Sequence, residues 1–197
     1  MAPDLYQDEL ALAVDDYRAG RTQRAIAAMH RLCALHTEEP APARALGTAL
    51  CNEGDFAGAL EPLRRAVALK PADAPARAYL ALALLLGPHD FASAREQMDR
   101  AVALAPRSFV VRWKEGEFLL RLGYAREAAA SLQAALQTDA PDAASRSTCA
   151  ELLRVADRRA ANQYNRMAPA FPPPAFRRLL QRWPAGVGAR RSLPREA

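Results

Sequence analysis

The chain is 197 residues long, 51% hydrophobic but only 7% aromatic, and it contains 9 glycines. An apolar share inflated by alanine suits closely packed helices better than a sheet-built core, and so few glycines leave no loop to cradle a phosphate. The net charge of +5 hides a division: residues 158–197 hold nine arginines against the single acid Glu196, while residues 1–157 hold 18 basic against 21 acidic groups.

In chain order, residues 1–5 read as an N-terminal tail, without the basic patch and apolar run of a signal peptide. From there one pattern recurs. Gly20 with Ala25, Gly54 with Ala59, His89 with Ala94 and Gly123 with Ala128 are spaced 34, 35 and 34 residues apart, which divides the chain into repeats at 6–39, 40–74, 75–108 and 109–142. The clearest copy of the second half-repeat runs from Asp90 to Pro106. Phe91, Ala94, Met98, Ala101 and Ala105 step by three and four, the stripe of an amphipathic helix, with Asp90 as its cap and Pro106 where it stops. Repeat two carries one extra residue, which the loop Ala72–Pro75 would absorb most easily, and Pro88–His89 gives repeat three a different inter-helix turn. After Asp142 one more helix, 143–163, lines Cys149, Leu152, Leu153, Ala156 and Ala160 along one face and reads as a cap.

The remainder, 164–197, is a proline- and arginine-rich tail. Met167–Pro174 reads as an extended spacer, and 175–183 as a short amphipathic helix with Phe176, Leu179, Leu180 and Trp183 on its apolar stripe and Arg177, Arg178 and Arg182 elsewhere. Pro184 ends it, and 185–197 reads as unstructured. Three readings of this tail stay open: it folds back on the body, it meets an acidic partner or anionic membrane surface, or it binds nucleic acid. The acidic body and the absence of a recognition motif disfavour the last.

Chemistry finds no constellation. His30, His36 and His89 have no carboxylate or cysteine at ligand spacing, and the neighbouring acids Asp15–Asp16 and Glu38–Glu39 read as solvated charges. Cys33, Cys51 and Cys149 are odd in number and far apart, which argues against a disulfide framework or zinc site and fits a reducing compartment. Tyr79–Gly87, the longest apolar run, is too short to span a bilayer. The expectation is a cytoplasmic protein that is not an enzyme, with no cofactor, no metal and no transmembrane segment.

The period and its residues resemble the tetratricopeptide repeat family across residues 6–142. Counted from each repeat start, the family's small position 8 reads Ala13, Gly47, Leu82 and Gly116, and position 20 is alanine four times. Position 24 is Met29, Leu63, Met98 and Leu132; position 27 is Leu32, Ala66, Ala101 and Ala135; proline at 32 appears as Pro71 and Pro106. Departures are the missing aromatic at position 4 (Glu9, Ala43, Ala78, Arg112) and Asp16, where repeat one should hold a large apolar or tyrosine.

The resemblance implies an all-α fold: a right-handed α-α superhelix of four helix-turn-helix repeats and a capping helix. It also implies a concave groove lined by the first helix of each repeat, which would bind a peptide or helix of a protein partner. Mapped onto this chain, the groove positions are Leu10, Val14 and Tyr17; Arg44, Thr48 and Cys51; Tyr79, Ala83 and Leu86; Val110, Trp113, Glu117 and Leu120. The cap adds Ser147, Glu151 and Arg154. Tyr17, Tyr79 and Trp113 would be aromatic anchors, or Tyr79 and Trp113 would fill the gap between adjacent first helices. The subclass that grips chaperone tails needs lysine and asparagine where Leu10, Val14 and Ala45 stand, so that role is disfavoured. Leu12 to Leu35, with Tyr17, Gly20 and Ala25, is similar to the first repeat of bacterial type III secretion chaperones, a narrower alternative.

Overall fold

In the computed structural model, residues 3–140 and 142–161 are described, and within them the chain forms nine helices. They are α1 (Pro3–Arg18), α2 (Thr22–Leu35), α3 (Pro40–Asn52), α4 (Phe56–Leu69), α5 (Ala74–Leu86), α6 (Phe91–Leu104), α7 (Phe109–Arg121), α8 (Ala125–Leu136) and α9 (Ala143–Ala161). The chain divides into two compact units, the first ending at Pro106 with α1–α6 and the second beginning at Arg107 with α7–α9. The expected tail 1–5 is shorter than read, because α1 already begins at Pro3.

Each helix starts and stops for a local reason. Asp55, Asp73 and Asp90 cap α4, α5 and α6 by accepting the backbone N–H of Gly58, Ala76 and Ser93 at 2.8, 3.0 and 3.1 Å. Pro40 and Pro75 occupy the first turns of α3 and α5, where a missing N–H leaves nothing unpaired. Between the helices of a pair, Gly20, Gly54 and Gly123 take φ of +79°, +85° and +86°, and His89 takes +56° in the third pair. Glycine enters that left-handed region without a Cβ penalty; histidine does so under strain.

The helices of a pair meet through small residues. A Cβ added to Gly47 would lie 2.5 Å from Leu63 Cγ, and one added to Gly116 would lie 2.5 Å from Leu132 Cγ, so each glycine is the floor on which a leucine of the next helix rests.

The extra residue lies elsewhere than the Ala72–Pro75 loop. The turns 19–21, 53–55 and 122–124 each hold three residues, whereas Gly87–Asp90 holds four; Pro40 to Ala74 is 34 residues, and Phe56 to Phe91 is 35. Its Asp90 N–H accordingly reaches back six residues to Leu84 O, where Asp55 and Tyr124 reach back five, to Leu50 and Leu119. The expectation of a distinct Pro88–His89 turn is met, and the expected register of α5 shifts by one. Ala81, not Leu82, occupies the place of Gly47 and Gly116, which removes the one large residue from the small position.

In the second unit, Phe109, Trp113, Leu120, Leu132, Cys149 and Ala156 belong to one core cluster, with Leu152 and Leu153 packed against it. α9 thus covers the apolar face of α8, as the cap reading required. Arg146 fastens it, donating to Leu136 O at 3.0 Å, a carbonyl at the end of α8, and to Thr138 O at 2.9 Å just beyond it.

Candidate partner-binding face

The first helices of the first unit are joined side by side through their ends. At one end Tyr6 Oη donates to Glu39 Oε2 at 3.0 Å, its ring 4.7 Å from that of His36. At the other, Tyr17 Oη donates to Glu53 Oε1 at 2.8 Å. Burial, and after it the Glu53 carboxylate, push the Tyr17 phenol well above its usual range. From α3 to α5 the link is Cys51 Sγ, 3.8 Å from Tyr79 O. Arg44 Nε lies 3.4 Å from Asp73 Oδ2, so the cap of α5 also orients a guanidinium that is nearly half exposed.

Along this face Leu10, Val14, Tyr17, Thr48 and Leu86 are half-buried and Arg44 is exposed. Tyr79 is different: only 6% of it is exposed. Its place in α5 corresponds to Ala45 and Lys114, and the one-residue shift puts Ala78, Leu82 and Leu85, all buried, at the positions read as Tyr79, Ala83 and Leu86. α5 is apolar except for the buried Arg77 and is buried from Ala76 to Leu85, so as a helix it is core rather than contact surface.

In the second unit Trp113 is 9% exposed and Leu120 6%. The Trp113 ring lies 5.8 Å from Phe109, with Lys114 Nζ 4.1 Å from its centroid. Burial of Tyr79 and Trp113 favours the packing role over that of anchors. Ion pairs run along this unit, buried on α7 around Lys114 and exposed on α9. Lys114 Nζ meets Glu117 Oε2 at 3.2 Å, Glu117 Oε1 meets Arg121 at 3.5 Å, and on α9 the exposed Glu151 and Arg154 pair with each other. Ser147 is exposed and Val110 half-buried.

Two charged features escaped the sequence reading. Asp16, standing where a large apolar was expected, is 4% exposed and is held by Arg21 Nη2 at 2.8 Å and Arg24 Nε at 2.9 Å, so the carboxylate ties α1 to the start of α2. Glu115 is 1% exposed and pairs with Arg112 Nη1 at 2.8 Å. The signal for the first was present in two arginines opening the next helix; the second, one turn apart on α7, looks in sequence like any surface i, i+3 pair.

The tail residues Phe176, Arg177, Arg178, Leu179, Arg182 and Trp183, and the segment 164–197 that contains them, lie outside the described residues. Among the described residues no three His, Cys, Asp or Glu converge as a metal site, and no helix is long and apolar enough to cross a membrane.

Solved structures share this architecture. The chain is similar to TTC0263, a thermophilic TPR protein of Thermus thermophilus, at 24% identity over 89% of this chain and 96% of that one, with a TM-score of 0.64. It is similar to MamA at 24% identity over 68% of this chain and 78% of that one, TM-score 0.52. The putative kinesin light chain TPR-like repeats of Podosopora anserina align at 18% identity over 84% and 92%, TM-score 0.56. No protein-family model and no curated protein matches the chain.

Proposed function

We propose that this chain, a helical-repeat protein with the tetratricopeptide-repeat fold, is a non-enzymatic scaffold or adaptor that binds a peptide or helix of a protein partner on its first-helix face. The observation that carries this reading is the face formed by α1 and α3. There a half-buried row of Leu10, Val14, Tyr17 and Thr48 lies beside exposed Arg44, whose guanidinium is held in place by Asp73. Apolar groups that keep partial exposure, next to one oriented cation, suit a segment with an apolar stripe and an acidic group. The reading places the protein in the cytoplasm, where its three buried cysteines stay reduced.

The test is affinity capture from the native host with wild type, Arg44→Glu and Val14→Arg. Both variants are expected to keep the helical circular dichroism of the wild type. Loss of the same captured protein in both variants supports the face; capture unchanged in both removes it.

A further inference from the structure

The outer side of the first helix pair is a second surface, built differently from the first-helix face. α1 presents Glu9, Leu12, Ala13 and Asp16 there, spaced i, i+3, i+4 and i+7; α2 presents Arg24, Ala27, Ala28 and Arg31 at the same spacing. Between these two ridges lies a depression of about 350 Å³. Its apolar middle is open, with Leu12 57% exposed although a leucine of that size is ordinarily buried.

Charge is sorted by helix. Both acids belong to α1 and both arginines to α2. At one end of the depression the two signs already meet, Asp16 with Arg24 at 2.9 Å. At the other end, two helical turns and roughly 10 Å away, Glu9 and Arg31 are exposed and make no ion pair among the described residues.

We propose that this face is a homodimer interface, in which a second copy of the chain docks by a two-fold axis running along the depression. A face that binds its own copy must be self-complementary, and of the two in-plane axes only one satisfies the charges. Rotation about an axis across the helices would lay α1 on α1, setting Glu9 over Asp16 and Arg31 over Arg24. Rotation about the axis along the depression lays α1 of one copy on α2 of the other. It sets Glu9 over Arg31 twice, leaves each buried Asp16 with its own Arg24, and sets each Leu12 over the small Ala27 and Ala28 of its mate. A large side chain then fills the hollow that two alanines leave, and the four helices form a two-layer antiparallel packing.

Sedimentation equilibrium of the full chain, over on the order of a hundredfold range of micromolar concentration, gives the oligomeric state. A concentration-dependent dimer is expected. Glu9→Arg and Arg31→Glu each place like charges opposite one another at two symmetric points, and each is expected to weaken dimerisation roughly tenfold or more. Mixing the two single variants restores the opposite pairing at both points and should yield a mixed dimer tighter than either variant forms alone. Leu12→Arg, at a site 57% exposed, should abolish association. A wild-type chain that stays monomeric across the range, or a dimer indifferent to both charge reversals, overturns the proposal. So does failure of the mixture to associate when wild type does.

Discussion

Tyr17 Oη and Glu53 Oε1, 36 positions apart in sequence, are 2.8 Å apart in the fold. This bond joins the last turn of α1 to the cap of α3, while Tyr6 and Glu39 join the opposite ends. Two tyrosines therefore bridge the two first helices near both ends, and the half-buried row of Leu10, Val14 and Thr48 lies between these bridges. A contact surface whose frame is fixed by hydrogen bonds at both ends loses little freedom when a partner segment settles on it.

The first prediction comes from the phenol. Its pKa in the folded chain is raised above the ordinary 10.0, with burial the larger cause and Glu53 the next. The native state thus holds the proton where the unfolded chain releases it, so this contribution is intact below about pH 10 and is lost as pH rises above it. Urea unfolding of wild type and Tyr17→Phe at neutral pH and near pH 11 checks it. At neutral pH the variant is expected to be less stable by about 1 kcal/mol, and the gap should narrow or vanish in alkali; a gap that widens with pH would contradict the assignment.

Glycines of two kinds give a second prediction. At Gly47 and Gly116 a methyl group would run into Leu63 or Leu132, whereas at Gly54 and Gly123 nothing lies within 4 Å but φ is positive. Gly47→Ala and Gly116→Ala should lose roughly 1–3 kcal/mol through overpacking, and shortening the opposing residue by Leu63→Ala in the Gly47→Ala background should recover part of the Gly47→Ala penalty. Gly54→Ala should lose about 1 kcal/mol, with no rescue from any neighbour. Double-mutant cycles in urea separate the two mechanisms.

The fold was legible because its rules are local and periodic. A 34-residue interval, aspartates at helix starts and alanines at close contacts each act within one repeat, so they survive in the sequence without any knowledge of the neighbours. The site was less legible because it depends on register and burial. A single inserted residue can be placed in either of two turns without changing the period of the later repeats. Putting it at Ala72–Pro75 instead of Gly87–Asp90 rotated every α5 position by about 100° and brought Tyr79 onto the groove. Asp16 departs from the pattern at its own position, while Arg21 and Arg24, which neutralise it, belong to the turn that follows and to the next helix.

Thiol chemistry gives the third prediction. Cys33, Cys51 and Cys149 are all buried. Burial pushes the Cys149 thiol up to about 11, although Arg146 and Lys114 pull the other way, and burial raises Cys33 as well. Reaction with a thiol reagent requires both access and thiolate. At pH 8 the native chain should therefore resist iodoacetamide, and labelling of Cys149 should track unfolding as urea is added. Rapid labelling of Cys149 in the absence of denaturant would show that α9 opens independently of the rest of its unit.

The final prediction concerns Trp113, whose two possible roles make opposite demands. Its indole Nε1 is buried without a hydrogen-bond partner among the described residues, while its ring packs with Phe109 in the core of the second unit. If the residue serves packing, phenylalanine keeps most of the contact and removes a buried N–H, and an unsatisfied donor is itself destabilising. Trp113→Phe should then change stability by about 1 kcal/mol or less, since lost ring volume and relieved N–H oppose each other, whereas Trp113→Ala should lose about 3–5 kcal/mol. A residue that grips a partner through its N–H would behave otherwise: Trp113→Phe would leave urea unfolding unchanged and still weaken partner capture. With 9% of the residue exposed, the packing outcome is expected, and unaltered capture by a stably folded Trp113→Phe chain would exclude the Trp113 indole N–H from the binding surface.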